Sequence, residues 1–341
     1  MLVIGIPKEL KSNEFRVSLT PKEVLKLTNK GFKIYIQTNA GINANISFSD
    51  ISYINAGAII CDTIEDVYKN ANLIVKVKEP QECEYSLINS NHTIFTFFHF
   101  ASNPNLINAM CKSGATCIAY ETIINDKGNF PILAEMSKIA GEQGLLEAYR
   151  FRNLIDISNE VITIIGVGNV GIASAYKAKE MGYKKINLID KNFDKIKGLV
   201  NDGFNVYQFS YFNLFDLLKI STIVIGSIYN NGEKTSKIIC DEMLKLLPER
   251  SIIIDVAIDQ GGITDHSIPT TIYDPIIKVY KTNIFCVPNI PSLVPDLATI
   301  KLSEVIYPYV YDIGNGKIND EIKSGINIKD GLIVHNKLHI I

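Results

Sequence analysis

Residues 161–190 read VITIIGVGNVGIASAYKAKEMGYKKINLID. The glycines Gly166-x-Gly168-x-x-Gly171 follow an apolar, β-branched run and open a helical pattern. Each has a mechanical use: Gly166 permits a tight turn, Gly168 lets backbone approach a pyrophosphate, and Gly171 lets helix pack on strand. Asn169 and Val170 fall in the first helical turn, where unpaired N–H groups and the positive end of the helix dipole favour phosphate. A second apolar run ends in Asp190, nineteen residues past Gly171. Its carboxylate can accept from both ribose hydroxyls and would repel a 2′-phosphate, so the pattern predicts NAD and not NADP. The bland alternative is a glycine-rich turn in an unrelated βαβ unit.

Other side chains have types suited to chemistry. LIVKVKEP (73–80) carries Lys76 and Lys78 two residues apart, on one face if the run is a strand. Taken alone it reads as a charged edge strand. TIFTFFHF (93–100) carries His99, and imidazole suits proton transfer near neutrality; by itself, a histidine after such a run reads as a core residue. Asp259 closes SIIIDVAID, and a carboxylate at the carboxyl end of a strand points to ligand in a doubly wound sheet. Asp255, deeper in that run, reads as a structural acceptor. Arg16 in SNEFRVSLTP reads by itself as a solvated loop arginine, and His92, His266, His335 and His339 as surface residues.

Positioning these groups requires an alternating chain. Short β-branched runs at 2–7, 32–38, 58–61, 73–78, 93–98 and 116–121 predict strands, as do those at 161–166, 185–190, 204–209, 222–227, 251–259 and 284–289. Between them lie helical patterns. In 20–31, Thr20 is the cap, Pro21 the first helical residue and Gly31 the stop; 102–114 repeats that grammar with Ser102 or Asn103 as cap and Gly114 as stop. A long apolar-periodic stretch at 136–155 predicts a connecting helix between the two series, another helix follows Pro295, and INIKDGLIVHNK predicts a strand pair around Asp330-Gly331. The expected class is α/β, with two doubly wound parallel sheets.

Bulk properties agree. At 341 residues two domains are expected. A formal net charge of −2 gives no basic excess for nucleic acid or an anionic membrane surface. No apolar run has membrane-spanning length. The six cysteines form no metal-like spacing and read as small buried hydrophobes in a reducing compartment. A cytoplasmic protein with a small-molecule substrate, and no metal, is the expectation.

The motifs in order resemble the alanine dehydrogenase family, related to the NAD-binding part of proton-pumping transhydrogenases. The likeness runs through IGIPKELKSNEFRVSLTP (4–21), VKVKEP (75–80), FTFFHFA (95–101), GATCIAYET (114–122), MSKIAG (136–141), IIGVGNVG (164–171), IIIDVAIDQGG (252–262) and CVPNIPSLVP (286–295). The resemblance implies two Rossmann-like domains separated by a cleft. Residues 1–133 with 300–341 would form the catalytic domain and 134–299 the NAD-binding one. It implies reversible oxidative deamination of L-alanine to pyruvate and ammonium. It further implies a homo-oligomer, a hexamer before a dimer. His99 would be the general acid/base, Lys78 and Arg16 the cations for substrate carboxylate and carbonyl, and Asp259 a catalytic or orienting group near the cofactor. Asn289 would contact substrate or nicotinamide. Ser137 would lie near the cofactor, with a helix N-cap as its plainer reading.

Three departures stand out. FRNLIDISNE lacks the family's longer glycine-rich insert, Glu142 replaces an arginine, and Asp296-Leu297-Ala298 replaces a more polar segment. The last leaves open a related dehydrogenase acting on another amino acid or making an opine-type secondary amine, and the resemblance to transhydrogenases leaves open a non-catalytic NAD(H)-binding protein.

Overall fold

The computed structural model describes residues 1–100, 103–153, 156–228 and 235–335. Fifteen strands occur among them. The first six are β1 (Ile4–Ile6), β2 (Ile34–Gln37), β3 (Ile59–Cys61), β4 (Leu73–Val75), β5 (Thr93–Thr96) and β6 (Thr116–Ala119). Then come β7 (Val161–Ile165), β8 (Lys185–Asp190), β9 (Asn205–Gln208), β10 (Ile223–Gly226), β11 (Ile252–Asp255), β12 (Ile276–Val279) and β13 (Thr282–Phe285). The last two are β14 (Ile326–Lys329) and β15 (Leu332–Ile333). They divide between two compact units, Met1–Met136 with Val294–Ile341, and Ser137–Leu293.

Unit 1 holds one sheet in the order β15-β14-β6-β5-β4-β1-β2-β3. The six strands from β6 to β3 are parallel, and the antiparallel pair β14–β15, turned at Asp330-Gly331, extends the β6 edge. Unit 2 holds β12-β13-β11-β10-β7-β8-β9. Here too the sheet is parallel except at one edge, where β12 is antiparallel to β13. Numbered within each unit, the parallel strands run 3-2-1-4-5-6, the doubly wound order, in which ligands bind where that order reverses. In unit 1 the reversal lies between β1 and β4, and in unit 2 between β7 and β10.

The apolar runs explain why both faces of the unit 2 sheet are covered. Ile162, Ile164, Ile223, Ile225, Ile252 and Ile254 enter one core. Their alternates Ile165, Val224 and Ile253 enter the other. The two-residue period of a strand sends successive side chains to opposite cores, and buried polar exceptions such as Thr163 and Asn187 are hydrogen-bonded to each other.

Some boundaries differ from the sequence reading. The connecting helix spans Pro131–Arg152, starting earlier than expected because Pro131 supplies a preset first helical φ. The expected residues 154 and 155 lie outside the described ones. Asn103 caps its helix by accepting Leu106 N–H at 3.1 Å, and Gly114 ends it in the left-handed region; Ser102 lies outside the described residues. Strand β12, the β-branched run Ile276–Val279, is a strand beyond those expected. Cys61, Cys117 and Cys286 are buried as expected, but Cys83 and Cys240 are exposed. No helix among the described residues is long and apolar enough to cross a membrane.

Candidate functional site

In unit 2 the fingerprint sits at the carboxyl end of β7. Gly166 has φ +88°, and a Cβ there would lie 2.9 Å from the Ser227 carbonyl beyond β10. A Cβ on Gly171 would lie 2.2 Å from Gly166 O, so the first helical turn can approach the strand only without a side chain. Gly168 is different: a Cβ there would meet no protein atom within 4 Å. Packing does not demand that glycine, but a phosphate lying on the loop would. Gly168 is also the N-cap of the helix Asn169–Glu180, so Asn169 and Val170 supply the open N–H groups. Asp190 ends β8 beside this loop, accepting Val167 N–H at 2.6 Å and Asn192 N–H at 2.8 Å. Each carboxylate oxygen keeps acceptor capacity for a ribose hydroxyl. The residues fit a dinucleotide.

The acidic pair in IIIDVAIDQGG separates in the structure. Strand β11 ends at Asp255, not Asp259. Asp255 is fully buried and accepts Ile263 N–H at 2.7 Å and Ser267 Oγ–H at 2.5 Å. Burial pushes its carboxyl up, and Ser267 and Ile263 offset this only in part. Those bonds close the loop whose 3-10 turn, Val256–Gln260, carries Asp259, an exposed residue. Asn289 is half-buried with φ +56° just before the turn Ile290–Leu293. Asparagine is among the residues that enter this left-handed region most readily, as Asn13 and Asn39 also do. Ser137 lies in the interior of the helix Pro131–Arg152, which overturns the N-cap reading.

In unit 1 the polar side chains gather beyond β1, β4, β5 and β6, four neighbouring parallel strands. The two lysines are not on the strand proper, since β4 stops at Val75. Lys76 N–H still donates to Phe95 O at 3.1 Å and Phe97 N–H to Val77 O at 3.3 Å, so the segment continues alongside β5. Lys76 is sealed inside, with Nζ 3.0 Å from Glu84 and 3.4 Å from Glu9. Lys78 is 8% exposed, and its carbonyl accepts Thr96 Oγ1–H.

Glu79 follows Lys78. One carboxylate oxygen is 2.5 Å from Lys11 Nζ, the other 3.5 Å from His99 Nδ1. Burial alone would raise its carboxyl, but the hydrogen bond and charge of His99, joined by Lys11, outweigh it and hold the group down to about 2. His99 is not a core residue: its side chain is 41% exposed and stacks on Phe97. Its φ is +50°, and the Glu121 carboxylate steadies that turn by accepting N–H from Phe98 at 3.1 Å and His99 at 2.6 Å.

Arg16 is no solvated loop arginine; it is 2% exposed. Glu14 takes its Nε at 2.7 Å, its Nη2 at 2.6 Å and its backbone N–H at 3.0 Å, and Nη1 meets Met136 Sδ at 3.3 Å. His92 is likewise buried: Nδ1 accepts Asn89 N–H at 3.1 Å, which leaves Nε2 to donate to Tyr68 O at 2.9 Å. His266 is half-exposed and 2.6 Å from Asp241. His335 ends the described chain with its N–H toward Asn327 O, and His339 lies outside the described residues.

Five acids here, Glu9, Glu14, Glu79, Glu84 and Glu121, are invisible to a reading that treats charges near turns as solvated. The available signals were local: Glu14 two residues before an arginine, and Glu79 wedged between Lys78 and Pro80. Among the described residues no group of three or more side chains could hold a metal ion.

Residues 5–140 match the family profile described as Alanine dehydrogenase/PNT, N-terminal domain, and residues 154–336 the corresponding C-terminal domain. The alanine dehydrogenase of Mycolicibacterium smegmatis is 33% identical over 350 residues, 98% of this chain and 94% of that protein. Alanine dehydrogenase 1 of Staphylococcus aureus is 34% identical over 363 residues, 99% and 96% of the two chains. A solved L-alanine dehydrogenase superposes with a TM-score of 0.91 at 29% identity, covering 99% of this chain and 98% of that one. The transhydrogenase from Sinorhizobium meliloti, 20% identical with a TM-score of 0.87, shares the fold over 98% of this chain and 99% of that one. With both family domains present and near full-length relatives at a third identity, the chain belongs to the alanine dehydrogenase/PNT family.

Proposed function

We propose that this protein catalyses the reversible NAD-dependent oxidative deamination of L-alanine to pyruvate and ammonium. The observation that carries the reading is the gathering of Lys78, Glu79 and His99 beyond β4 and β5, in a chain similar along its length to proteins named alanine dehydrogenase. Bound NAD supplies the acceptor for the hydride leaving the substrate Cα. Gly166, Gly168, Asn169, Val170 and Gly171 would hold its pyrophosphate and Asp190 its adenosine ribose, with Ser137 and Asp259 as further contacts.

Lys78 is the point charge for the substrate carboxylate or carbonyl oxygen. Arg16 assists, but its Nε–Nη2 edge is committed to Glu14, so a substrate carboxylate would meet another edge of the guanidinium. His99 moves the proton on the substrate nitrogen and on the carbinolamine oxygen. Glu79, an anion at any working pH, faces Nδ1 and thereby leaves Nε2 for the substrate. In unit 2, Asn289 is the proposed contact for substrate or nicotinamide, and Asp259 the proposed catalytic or orienting group near the cofactor. The working form is a homo-oligomer, with a hexamer the first expectation for light scattering.

The test is NADH formation from NAD across the proteinogenic amino acids. L-alanine should be the preferred substrate. Protein that binds NADH yet turns over no amino acid would overturn the reading, and preference for another amino acid would move the substrate assignment to the altered segment Asp296-Leu297-Ala298.

A further inference from the structure

Two carboxylates and one ammonium are sealed at the switch point of unit 1. The side chains of Glu9, Lys76 and Glu84 are 3%, 0% and 0% exposed. Glu84 takes Tyr68 Oη–H at 2.9 Å, Gln81 N–H at 2.7 Å and the lysine at 3.0 Å. Glu9 does something else: its Oε1 accepts Val77 N–H at 2.6 Å.

Topology explains why this N–H needs a carboxylate. Lys76 N–H goes to Phe95 O of β5 and Val77 N–H goes to Glu9, yet Val77 O still accepts Phe97 N–H, so the regular alternation of a strand stops at this residue and its N–H has no ladder carbonyl. Strand β1 has already ended at Ile6, and Pro7 carries the chain off the sheet. A buried N–H without a strand carbonyl must find another acceptor. Other backbone ties of this segment come from the β5–β6 side. Tyr120 Oη–H donates to Lys76 O at 2.9 Å, Phe97 N–H to Val77 O, and Thr96 Oγ1–H to Lys78 O at 2.9 Å. From the β1 side Glu9 supplies the tie to the backbone, and Lys11 grips the Glu79 carboxylate.

We propose that Glu9 is a positioning residue for the reaction: its carboxyl, clamped by Lys76, stands in for the missing strand partner of Val77 and sets where Lys78 and Glu79 present their charges. This rests on the alanine dehydrogenase reading. It also gives Lys76 a role distinct from that of Lys78, as the interior counter-ion of the clamp and not a substrate cation.

Two variants separate the hydrogen bond from the charge. Glu9→Gln keeps a carbonyl acceptor for Val77 N–H, whereas Glu9→Leu, of similar bulk, removes it. Neither strands the lysine, because Glu84 remains its partner. Three readouts are needed: pyruvate turnover with NADH and ammonium, NADH affinity by fluorescence, and deuterium exchange at the Val77 amide. Small misplacements of catalytic groups cost about 100-fold, and that loss in kcat/KM for pyruvate is expected of Glu9→Leu, with faster Val77 exchange and unchanged NADH affinity. Glu9→Gln should stay close to wild type in all three. The proposal is overturned if Glu9→Leu keeps full turnover, if Glu9→Gln is as impaired as Glu9→Leu, or if NADH binding is lost along with turnover. Wild-type protein inactive on pyruvate would sink the functional reading instead, and Val77 exchange in the two variants would still decide the tie.

Discussion

At the switch point of unit 2, between β7 and β10, the chain presents glycine and bare backbone. At the matching point of unit 1, between β1 and β4, it presents a buried lysine, two carboxylates and, beyond them, the Lys78–Glu79–His99 group. The strand order is the same in both units. A parallel sheet offers a crevice wherever its order reverses, and the side chains at the strand ends decide what the crevice is for. Where the ligand is a polyanion common to many enzymes, N–H groups and the absence of Cβ atoms suffice. Where chemistry must be done on a small substrate, charges have to be held at fixed points, and holding them takes a supporting layer of acids.

Breaking each side of this contrast should give separable losses. The largest belongs to unit 1: His99→Ala should lower kcat by about 1000-fold, in the range for a lost general acid/base, with NADH affinity unchanged in a fluorescence titration. Retained activity would remove His99 from the mechanism. In unit 2, the two glycines should fail differently. Gly171→Ala drives a Cβ to 2.2 Å from Gly166 O, so a destabilisation of about 1–3 kcal/mol should appear as a lower Tm. Gly168→Ala meets no protein atom. It should leave Tm unchanged and weaken NADH binding by about tenfold, or ~1.4 kcal/mol. Equal effects of the two on Tm would show that Gly168 serves packing and not a ligand.

The smallest effect is on stability against pH. Burial lowers the His92 pKa, with the Tyr68 and Ala71 carbonyls opposing. The folded state therefore favours neutral imidazole, so stability is full above the ordinary histidine value of 6.5 and declines as pH falls below it. Replacement by glutamine, which does not titrate, should flatten the fall in Tm between neutral and mildly acid pH. An unchanged slope would assign that fall to other groups.

The same contrast decides what could be read from the chain. Gly166, Gly168, Gly171 and Asp190 are legible because their demands are steric and local, and spacing alone encodes them. The strands were legible from β-branched runs, β12 (Ile276–Val279) being a further run of that kind outside the expected set, and β4 and β11 end earlier than their apolar runs. Those early ends matter: they move Lys76 and Lys78 off the strand and put Asp259 in a turn beyond the buried Asp255. In unit 1 the chemistry-bearing residues were legible only through the family resemblance. A buried Arg16–Glu14 pair and a loop arginine have the same letters, and so do a core histidine and an exposed one. Glu9 and Glu84 meet Lys76 from segments far apart in sequence, a kind of contact that no local pattern records.

The central claim is that the charges of unit 1 act on substrate while unit 2 holds the cofactor. Lys78→Met tests it most directly when pyruvate-and-ammonium-dependent NADH oxidation and NADH binding are measured on the same preparation. The account predicts turnover lost and NADH affinity unchanged. Wild-type turnover in that variant, or loss of NADH binding together with turnover, would contradict it.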